Sequence, residues 1–111
     1  LSALRDQAIR AADGFLIVFS LIDASSLREV NSFVDSVKRC KDKENITGVI
    51  VGNKCDMEGN RVISTEQIEV LREEMKVPVF EASAKDNINV RESFFELVRA
   101  MRRDDEENGL R

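Results

Sequence analysis

Apolar residues are arranged along this chain in two ways, as short uninterrupted blocks and as longer stretches in which they recur every three or four positions. The uninterrupted blocks are residues 15–20, 46–52 and 77–81. A block without polar alternation is typical of a strand buried on both faces, as in a parallel sheet. Helical spacing occupies the segments before, between and after these blocks. The pattern therefore predicts three parallel strands connected by helices.

Several residues indicate where these elements begin. Ser26 and Ser64 each stand three residues before a Glu or Gln, which is the capping-box spacing, and Asn89 is expected to cap the last helix. Pro78 cannot donate to a ladder, so it is expected at the start of the third strand. The helix residues predicted to face the core are Leu27, Val30, Phe33, Val34 and Val37, then Ile68, Leu71 and Met75, and finally Val90, Phe94, Leu97, Val98 and Met101.

The ends of the chain and the connections are polar. No capping residue and no initiator Met precede Leu1, so we expect a piece of a longer protein that starts inside or just before a helix. Residues 38–45 are interpreted as a charged exit from the second helix and residues 57–62 as a polar loop. The acidic run at residues 104–107 is interpreted as a frayed, solvated tail.

Composition narrows the possible functions. The 111 residues suit one domain, and 42% apolar with 34% charged residues permit a core. A net charge of −4 argues against a nucleic-acid binder. No apolar run has the length needed to cross a bilayer. Two cysteines without framework spacing are typical of a reducing cytosol. The absence of histidine and of Cys-x-x-Cys argues against a zinc site.

Polar side chains follow two of the predicted strands, at the point where each strand ends. Asn53-Lys54-Cys55-Asp56 follows the second strand, and Ala82-Ser83-Ala84-Lys85 follows the third. In a parallel α/β sheet, ligands bind outside the carboxyl ends of the strands. We therefore expect the two motifs to form one site for a polar, planar, anion-bearing ligand such as a purine nucleotide.

Asp56 carries the most specific chemistry of the two motifs. An ionised carboxylate accepts a bidentate pair of hydrogen bonds, and guanine offers such a pair on N1 and N2 whereas adenine does not. Asn53 can brace the loop or touch the purine edge, and the stem of Lys54 can lie on the base or ribose. The small Ala84 lets its backbone N–H approach a ligand oxygen, and Lys85 can cover the other face of the base.

Each motif also has a simpler interpretation. Asn-Lys-x-Asp is also an ordinary solvated turn in which Asp56 caps nearby backbone, and Ser83 and Lys85 are common turn residues. The occurrence of both motifs, each after a strand and with a helix between them, favours the ligand site.

On these residues the chain resembles the C-terminal two thirds of a Ras-family small GTPase. Asn53-Lys54-Cys55-Asp56 matches the family's guanine-specificity motif Asn-Lys-x-Asp, and Glu81-Ala82-Ser83-Ala84-Lys85 matches its last motif, with Ala82 where Thr is usual. Arg5-Asp6-Gln7 favours the Ras branch over Rab or Rho. Residues 92–99 fit the family's last helix.

The resemblance implies an α/β fold of the P-loop GTPase type, a three-layer, doubly wound, mostly parallel sheet with helices on both faces, whose N-terminal strands are missing here. Residues 1–12 would be the end of the switch II helix, residues 13–103 the base-binding half, and residues 104–111 the frayed acidic tail. The nucleotide-binding residues implied are Asn53, Lys54, Asp56, Ser83, Ala84 and Lys85. The ligands implied are GDP or GTP, with Mg²⁺ held by residues outside this chain.

The implied function is a GTP-hydrolysing signalling switch, with an exchange factor, a GTPase-activating protein and effectors as partners. None of the glycines precedes a lysine, so a phosphate loop is absent, and we expect no catalytic or metal-binding residue in this chain and no hydrolysis by it alone. The missing half, or self-association, would cover an open sheet edge. The implied location is the cytoplasm, at a membrane face if the parent carries a lipidated tail.

Two other classes remain as alternatives. A phosphoacceptor receiver domain would use Asp23, Ser83 and Lys85 at strand ends, but it requires an acidic pair after its first strand and usually a Pro after the Lys. A non-enzymatic module with a GTPase fold would have no use for Asp56, whose presence argues against it.

Overall fold

The computed structural model describes residues 2–109 and contains three strands and four α-helices within that range. The elements in order are α1 (Ser2–Ala11), β1 (Phe15–Ser20), α2 (Ala24–Lys41), β2 (Gly48–Asn53), a 3₁₀ turn (Glu58–Asn60), α3 (Thr65–Met75), β3 (Val79–Glu81) and α4 (Val90–Glu107). The predicted order of strands and helices is confirmed. The predicted helical position of Leu1 lies outside the described residues.

The strands form one parallel sheet in the order β1-β2-β3. Because side chains alternate along a strand, the sheet contributes to two separate apolar clusters. The larger cluster joins Ile17, Phe19 and Ile50 to residues of α1, α2 and α3. The smaller one joins Val49 and Val51 to other strand residues and to Leu97 of α4. Helices therefore cover both faces, as the three-layer prediction required. None of the helices within residues 2–109 is long and apolar enough to span a membrane.

The start of α2 differs from the capping box predicted at Ser26. The helix begins at Ala24, because Asp23 Oδ1 accepts a hydrogen bond from the Ser25 N–H at 2.9 Å and caps the helix. The Ser26 hydroxyl instead donates to Asp23 O and accepts from the Ser20 N–H at 2.9 Å, which ties the end of β1 to the helix. The predicted end of this helix, before residues 38–45, is also too early, since α2 continues to Lys41.

The other helix-start predictions have mixed outcomes. The capping box at Ser64 is confirmed, with Gln67 bonded reciprocally. Asn89 precedes α4 as predicted, but its side chain does not cap the helix. Its amide donates instead to Glu81 O at 2.8 Å, in a left-handed backbone conformation with φ 56°.

Two further predicted boundaries are wrong. The second strand is Gly48–Asn53, later than the predicted residues 46–52, so Asn53 belongs to the strand itself. Residues 104–107 are the last turn of α4, not a frayed segment. Asp104 accepts from Asn108 Nδ2 at 2.9 Å through its backbone oxygen, which supports that last turn.

The predicted buried stripe of α4 is only partly correct. Leu97 packs in the smaller cluster, and Val90 and Met101 are half-buried, whereas Phe94 is 52% and Val98 44% exposed. The sheet supplies the reason, since β1 is one of the two edge strands of the described sheet and Val18 on that strand is 57% exposed. The described residues place no further strand there for the flank of α4 to cover.

Gly48 provides a test of the packing between β1 and β2. A Cβ added to Gly48 would lie 2.5 Å from the backbone oxygen of Phe15, and a strand backbone cannot yield as a flexible side chain can. We expect Gly48→Ala to lower the free energy of unfolding by about 1–3 kcal/mol, as overpacking does. Gly59→Ala is the matched control because, among residues 2–109 and apart from its two chain neighbours, no atom lies within 4 Å of its added Cβ. Urea unfolding of both variants measures the difference, and equal stabilities would contradict this account of the strand contact.

Candidate nucleotide-binding site

The carboxyl ends of β2 and β3 are joined directly by backbone hydrogen bonds. The Ala82 N–H donates to Gly52 O at 2.8 Å, and the Cys55 N–H donates to Ala82 O at 3.0 Å. These bonds continue the pairing of the two strands into the residues that follow them. The two polar motifs are therefore held against each other by the ladder, as their positions after neighbouring parallel strands predicted.

Asp56 and Ser83 form the central side-chain contact of this region. The Ser83 hydroxyl donates to Asp56 Oδ1 at 2.6 Å and accepts from the Asp86 N–H at 3.0 Å. Ser83 is fully buried, and its backbone exchanges two hydrogen bonds with Ile88, which closes the loop after β3. One oxygen of the half-buried Asp56 carboxylate is thus fixed by a group that cannot move freely.

The Asp56 carboxylate is held in its charged form. The hydrogen bond from Ser83 is the largest influence and lowers the pKa of Asp56, while partial burial opposes this effect. The positive charges of Lys85 and Lys54 lower the pKa further. Because the pKa lies below the usual Asp value, the group loses its charge only at a more acidic pH than an ordinary Asp. Near neutral pH it is an ionised double acceptor.

Asn53 links the two motifs a second time. It is the last residue of β2, and its Oδ1 accepts a hydrogen bond from the Ala84 N–H at 3.3 Å. The next residue, Lys54, has φ 72° and a backbone oxygen that accepts from the Met57 N–H at 3.0 Å, so the chain turns sharply there. The turn brings Asp56 back toward Ser83.

All six residues predicted for the site lie at this one edge of the sheet. Hydrogen bonds join Asn53 to Ala84 and Asp56 to Ser83. Lys54 and Lys85 are exposed beside them and act on Asp56 through their charges. The arrangement presents an anionic acceptor, an amide and two cations to solvent at the carboxyl ends of parallel strands, where ligands of such sheets bind.

A sequence model described as the Ras family matches residues 1–103. The chain belongs to the Ras family. This confirms the resemblance drawn from the two motifs, and the parallel sheet with helices on both faces is consistent with a P-loop GTPase fold.

Two curated members of the family give the scale of the similarity. The chain is 45% identical to "Ras-like protein RAS2" of Hydra vulgaris over 101 residues, which are 91% of this chain and 53% of that protein. It is 40% identical to "Ras-like protein" of Laccaria bicolor over 102 residues, which are 92% of this chain and 49% of that protein. The chain thus spans about half the length of these Ras-like relatives.

Arg61 is a residue of this Ras-family chain that the sequence analysis missed. Its guanidinium donates to both carboxylate oxygens of Glu81, with one of the two distances at 2.9 Å, and its Nε donates to Ile63 O. The hydrogen bond to Glu81 is the main reason that the pKa of Arg61 is raised. Glu81 also accepts from Asn89 through its backbone oxygen. The pair therefore fastens the loop after β2 to the strand that leads into Ser83.

Cys55 occupies the variable position of the first motif. Its side chain packs against the larger apolar cluster, and burial together with the neighbouring charge of Asp56 raises the pKa of its thiol. A raised pKa leaves less of the nucleophilic thiolate at neutral pH. We therefore expect Cys55 to be chemically inert.

Magnesium, which the Ras family uses, does not fit the described residues. No group of three or more His, Cys, Asp or Glu side chains converges within residues 2–109. Hard cations such as Mg²⁺ prefer oxygen ligands, above all carboxylates and phosphates. We therefore assign no metal-dependent step to this part of the chain.

The Arg61–Glu81 pair yields a second test. The two side chains are 13% and 29% exposed, so Arg61→Met would leave a largely buried carboxylate without its partner. We expect this variant to lower the free energy of unfolding by about 1–2 kcal/mol, less than for a fully buried pair. Adding Glu81→Gln should restore part of the loss, because the uncompensated charge is then gone.

An exposed ion pair supplies the control for this double-mutant cycle. Arg99 contacts Glu96 on α4 with its side chain 64% exposed, and Arg99→Met should cost less than about 0.5 kcal/mol. Chemical denaturation of the wild type, Arg61→Met, Glu81→Gln and the double variant measures the coupling, and Arg99→Met is measured beside them. If Arg61→Met and Arg99→Met were equally mild, the Arg61–Glu81 pair would not support the site.

Proposed function

We propose that the protein containing this chain is a guanine-nucleotide-binding switch of the Ras type that hydrolyses GTP and acts in signal transduction. The observation that carries the proposal is the Asp56 carboxylate, kept ionised and fixed by Ser83 at the joined ends of β2 and β3. Membership of the Ras family supports the same function. A rigid, charged double acceptor suits the N1 and N2 donors of guanine.

The other residues of the site receive roles in this proposal. Asn53 braces the two motifs through Ala84, whose backbone lies at the exposed surface where a ligand oxygen can approach. The apolar stems of Lys54 and Lys85 cover the base or ribose while their charges remain in water. Ser83 positions the carboxylate rather than touching the base. These residues bind and orient the nucleotide, and none of them is assigned a catalytic role.

The proposal extends to partners and location. GDP and GTP are the ligands, and the residues that hold Mg²⁺ and the phosphates belong outside residues 1–111. An exchange factor, a GTPase-activating protein and effectors complete the switch, and a segment outside this chain or a second copy covers the β1 edge. We place the protein in the cytoplasm, at the cytoplasmic face of a membrane if its tail is lipidated.

Base selectivity in the complete protein tests this function. Titration with GDP, IDP and ADP should give affinities in that order. IDP keeps the N1 donor but lacks the exocyclic N2 amine, and ADP lacks both donors. The loss of one charge-assisted hydrogen bond to Asp56 should weaken IDP binding by about 1.5–3 kcal/mol. Equal affinity for GDP and ADP would contradict the reading of guanine by Asp56. No nucleotide binding at all would favour the non-enzymatic interaction module instead.

GTP hydrolysis should differ between the complete protein and the isolated chain. The complete protein should turn over GTP with Mg²⁺, whereas residues 1–111 alone should show no turnover above the uncatalysed rate. Turnover by the isolated chain at the rate of the complete protein would show that residues 1–111 contain catalytic groups that we have not assigned.

A further inference from the structure

A groove separates α2 from α3 on the sheet face opposite α4. It has a volume of about 320 Å³ and opens to solvent. We call it the α2–α3 groove. The lining residues that matter here are Leu27 and Asn31 of α2 together with Glu66, Val70, Leu71 and Glu74 of α3.

The floor of the α2–α3 groove is apolar. Leu71 is buried and Leu27 is half-buried against the larger cluster, so both belong to the folded core. Val70, next to Leu71, is 52% exposed. A single exposed apolar residue needs no explanation on its own, but here it adjoins two core residues in a concave surface.

The rim of the groove is acidic and is not neutralised locally. Glu66 and Glu74 line it, no Lys or Arg does, and neither Glu forms an ion pair within the described part of the chain. The nearby Arg72 contacts Glu69 and donates to Val79 O at 2.7 Å, so its charge is engaged elsewhere. Glu66 in the first turn suits the helix dipole, but Glu74 in the last turn opposes it. Helix stability therefore does not account for Glu74.

The spacing of the two glutamates along α3 indicates which kind of ligand the groove can bind. Glu66 and Glu74 are eight residues apart, which is about 12 Å or two turns along a helix. A second helix lying in the groove would present residues of one face at the same two-turn interval. Apolar side chains between two cations would then meet Val70 and its neighbours.

We propose that the α2–α3 groove is a docking surface for a basic amphipathic helix of a partner protein. Apolar residues of that helix contact Leu27, Val70 and Leu71, and Lys or Arg residues about two turns apart contact Glu66 and Glu74. Charge complementarity selects this occupant, since the acidic rim repels anionic lipid surfaces and acidic peptides. The proposal does not depend on nucleotide binding.

A synthetic peptide provides the probe. A helix of Leu and Lys, about 14 residues or four turns long with Leu on one face, is titrated into the isotope-labelled complete protein. We expect amide shifts centred on Asn31, Val70 and Glu74, and an affinity that falls as salt screens the charges. A peptide of the same composition with a scrambled order should bind at least about tenfold more weakly, because its apolar face is lost.

Two neighbouring glutamates give a matched pair of variants. Glu74 lines the groove, whereas Glu73 is exposed and does not, so Glu74→Lys and Glu73→Lys change the net charge equally at adjacent positions. We expect Glu74→Lys to weaken peptide binding about tenfold or more and Glu73→Lys less than about threefold. Glu74→Gln, with a smaller expected loss, serves if the lysine variant fails to fold.

Four results would overturn the proposal. Equal losses for Glu73→Lys and Glu74→Lys, or equal binding of the scrambled peptide, would indicate only diffuse charge attraction. Shifts centred away from Asn31, Val70 and Glu74 would place the peptide elsewhere on the protein. An absence of binding at low salt would also contradict the docking surface.

Discussion

Replacing Asp56 with Asn is expected to weaken GDP binding to the complete protein by about 2–4 kcal/mol, the contribution of two charge-assisted hydrogen bonds. The same substitution should shift the preference toward XDP, because the exocyclic oxygen of xanthine accepts a hydrogen bond from the new amide. The geometry supports this expectation, since Ser83 fixes one oxygen of the carboxylate and an Asn side chain can retain that contact through its own oxygen. Titration of GDP and XDP against both proteins measures the shift.

Two further variants distinguish recognition of the guanine base by Asp56 from a general effect of negative charge on nucleotide binding. Asp86 lies in the same loop and is exposed, and only its backbone N–H contacts Ser83, so Asp86→Asn makes the same change of charge without removing a bond. We expect it to leave GDP affinity nearly unchanged. Ser83→Ala should weaken GDP and XDP alike, because it loosens Asp56 without changing what the carboxylate accepts. An Asp56→Asn protein that folds and keeps wild-type GDP affinity would refute the assignment.

The fold was largely predictable because its strands are marked by local composition. Phe15–Ser20 is apolar enough to be identified without any tertiary information, and its predicted bounds match the structure. Helix starts were less certain, because more than one nearby side chain can cap a helix. Asp23 and Ser26 are both residue types that cap helices. Asp23 caps α2, because the Ser26 hydroxyl is bonded to the end of β1 instead.

Side-chain exposure on α4 could not be predicted from periodicity alone. An apolar stripe identifies the face that a helix can bury, but the width of the sheet decides how much of that face is covered. Leu97 packs against the sheet, whereas Phe94 and Val98 remain exposed. The same limit explains why the periodicity of α4 predicts a uniformly buried stripe.

The site was predictable where its residues follow strand ends and was missed where they do not. Asn53, Asp56 and Ser83 come within a few residues of β2 or β3, so the sheet's parallel topology places them together. The Arg61–Glu81 pair joins residues 20 positions apart through a loop without regular spacing. The partner of Glu81 depends on the path of a loop that the polar composition of residues 57–62 does not specify.

The isolated chain of residues 1–111 is expected to self-associate. β1 is an edge strand of the described sheet, and its open side presents unpaired backbone groups to other chains. Apolar surface is also exposed at Val18 of β1 and at Phe94 and Val98 of α4. Covering a few hundred Å² at about 25 cal/mol per Å² yields several kcal/mol, comparable to the whole stability of a typical domain.

This expectation is tested by sedimentation and by thermal melting at several concentrations of the isolated chain. Association stabilises the folded form by mass action, so the apparent melting temperature should rise with concentration. Val18→Lys should reduce the association, since a lysine on an edge strand opposes pairing. Val62→Lys is the control, because Val62 is 56% exposed against 57% for Val18 but lies in the loop after the 3₁₀ turn. A monomer with a concentration-independent, cooperative melt would show that the exposed face of β1 and α4 needs no cover, and equal effects of the two lysines would place the contact elsewhere.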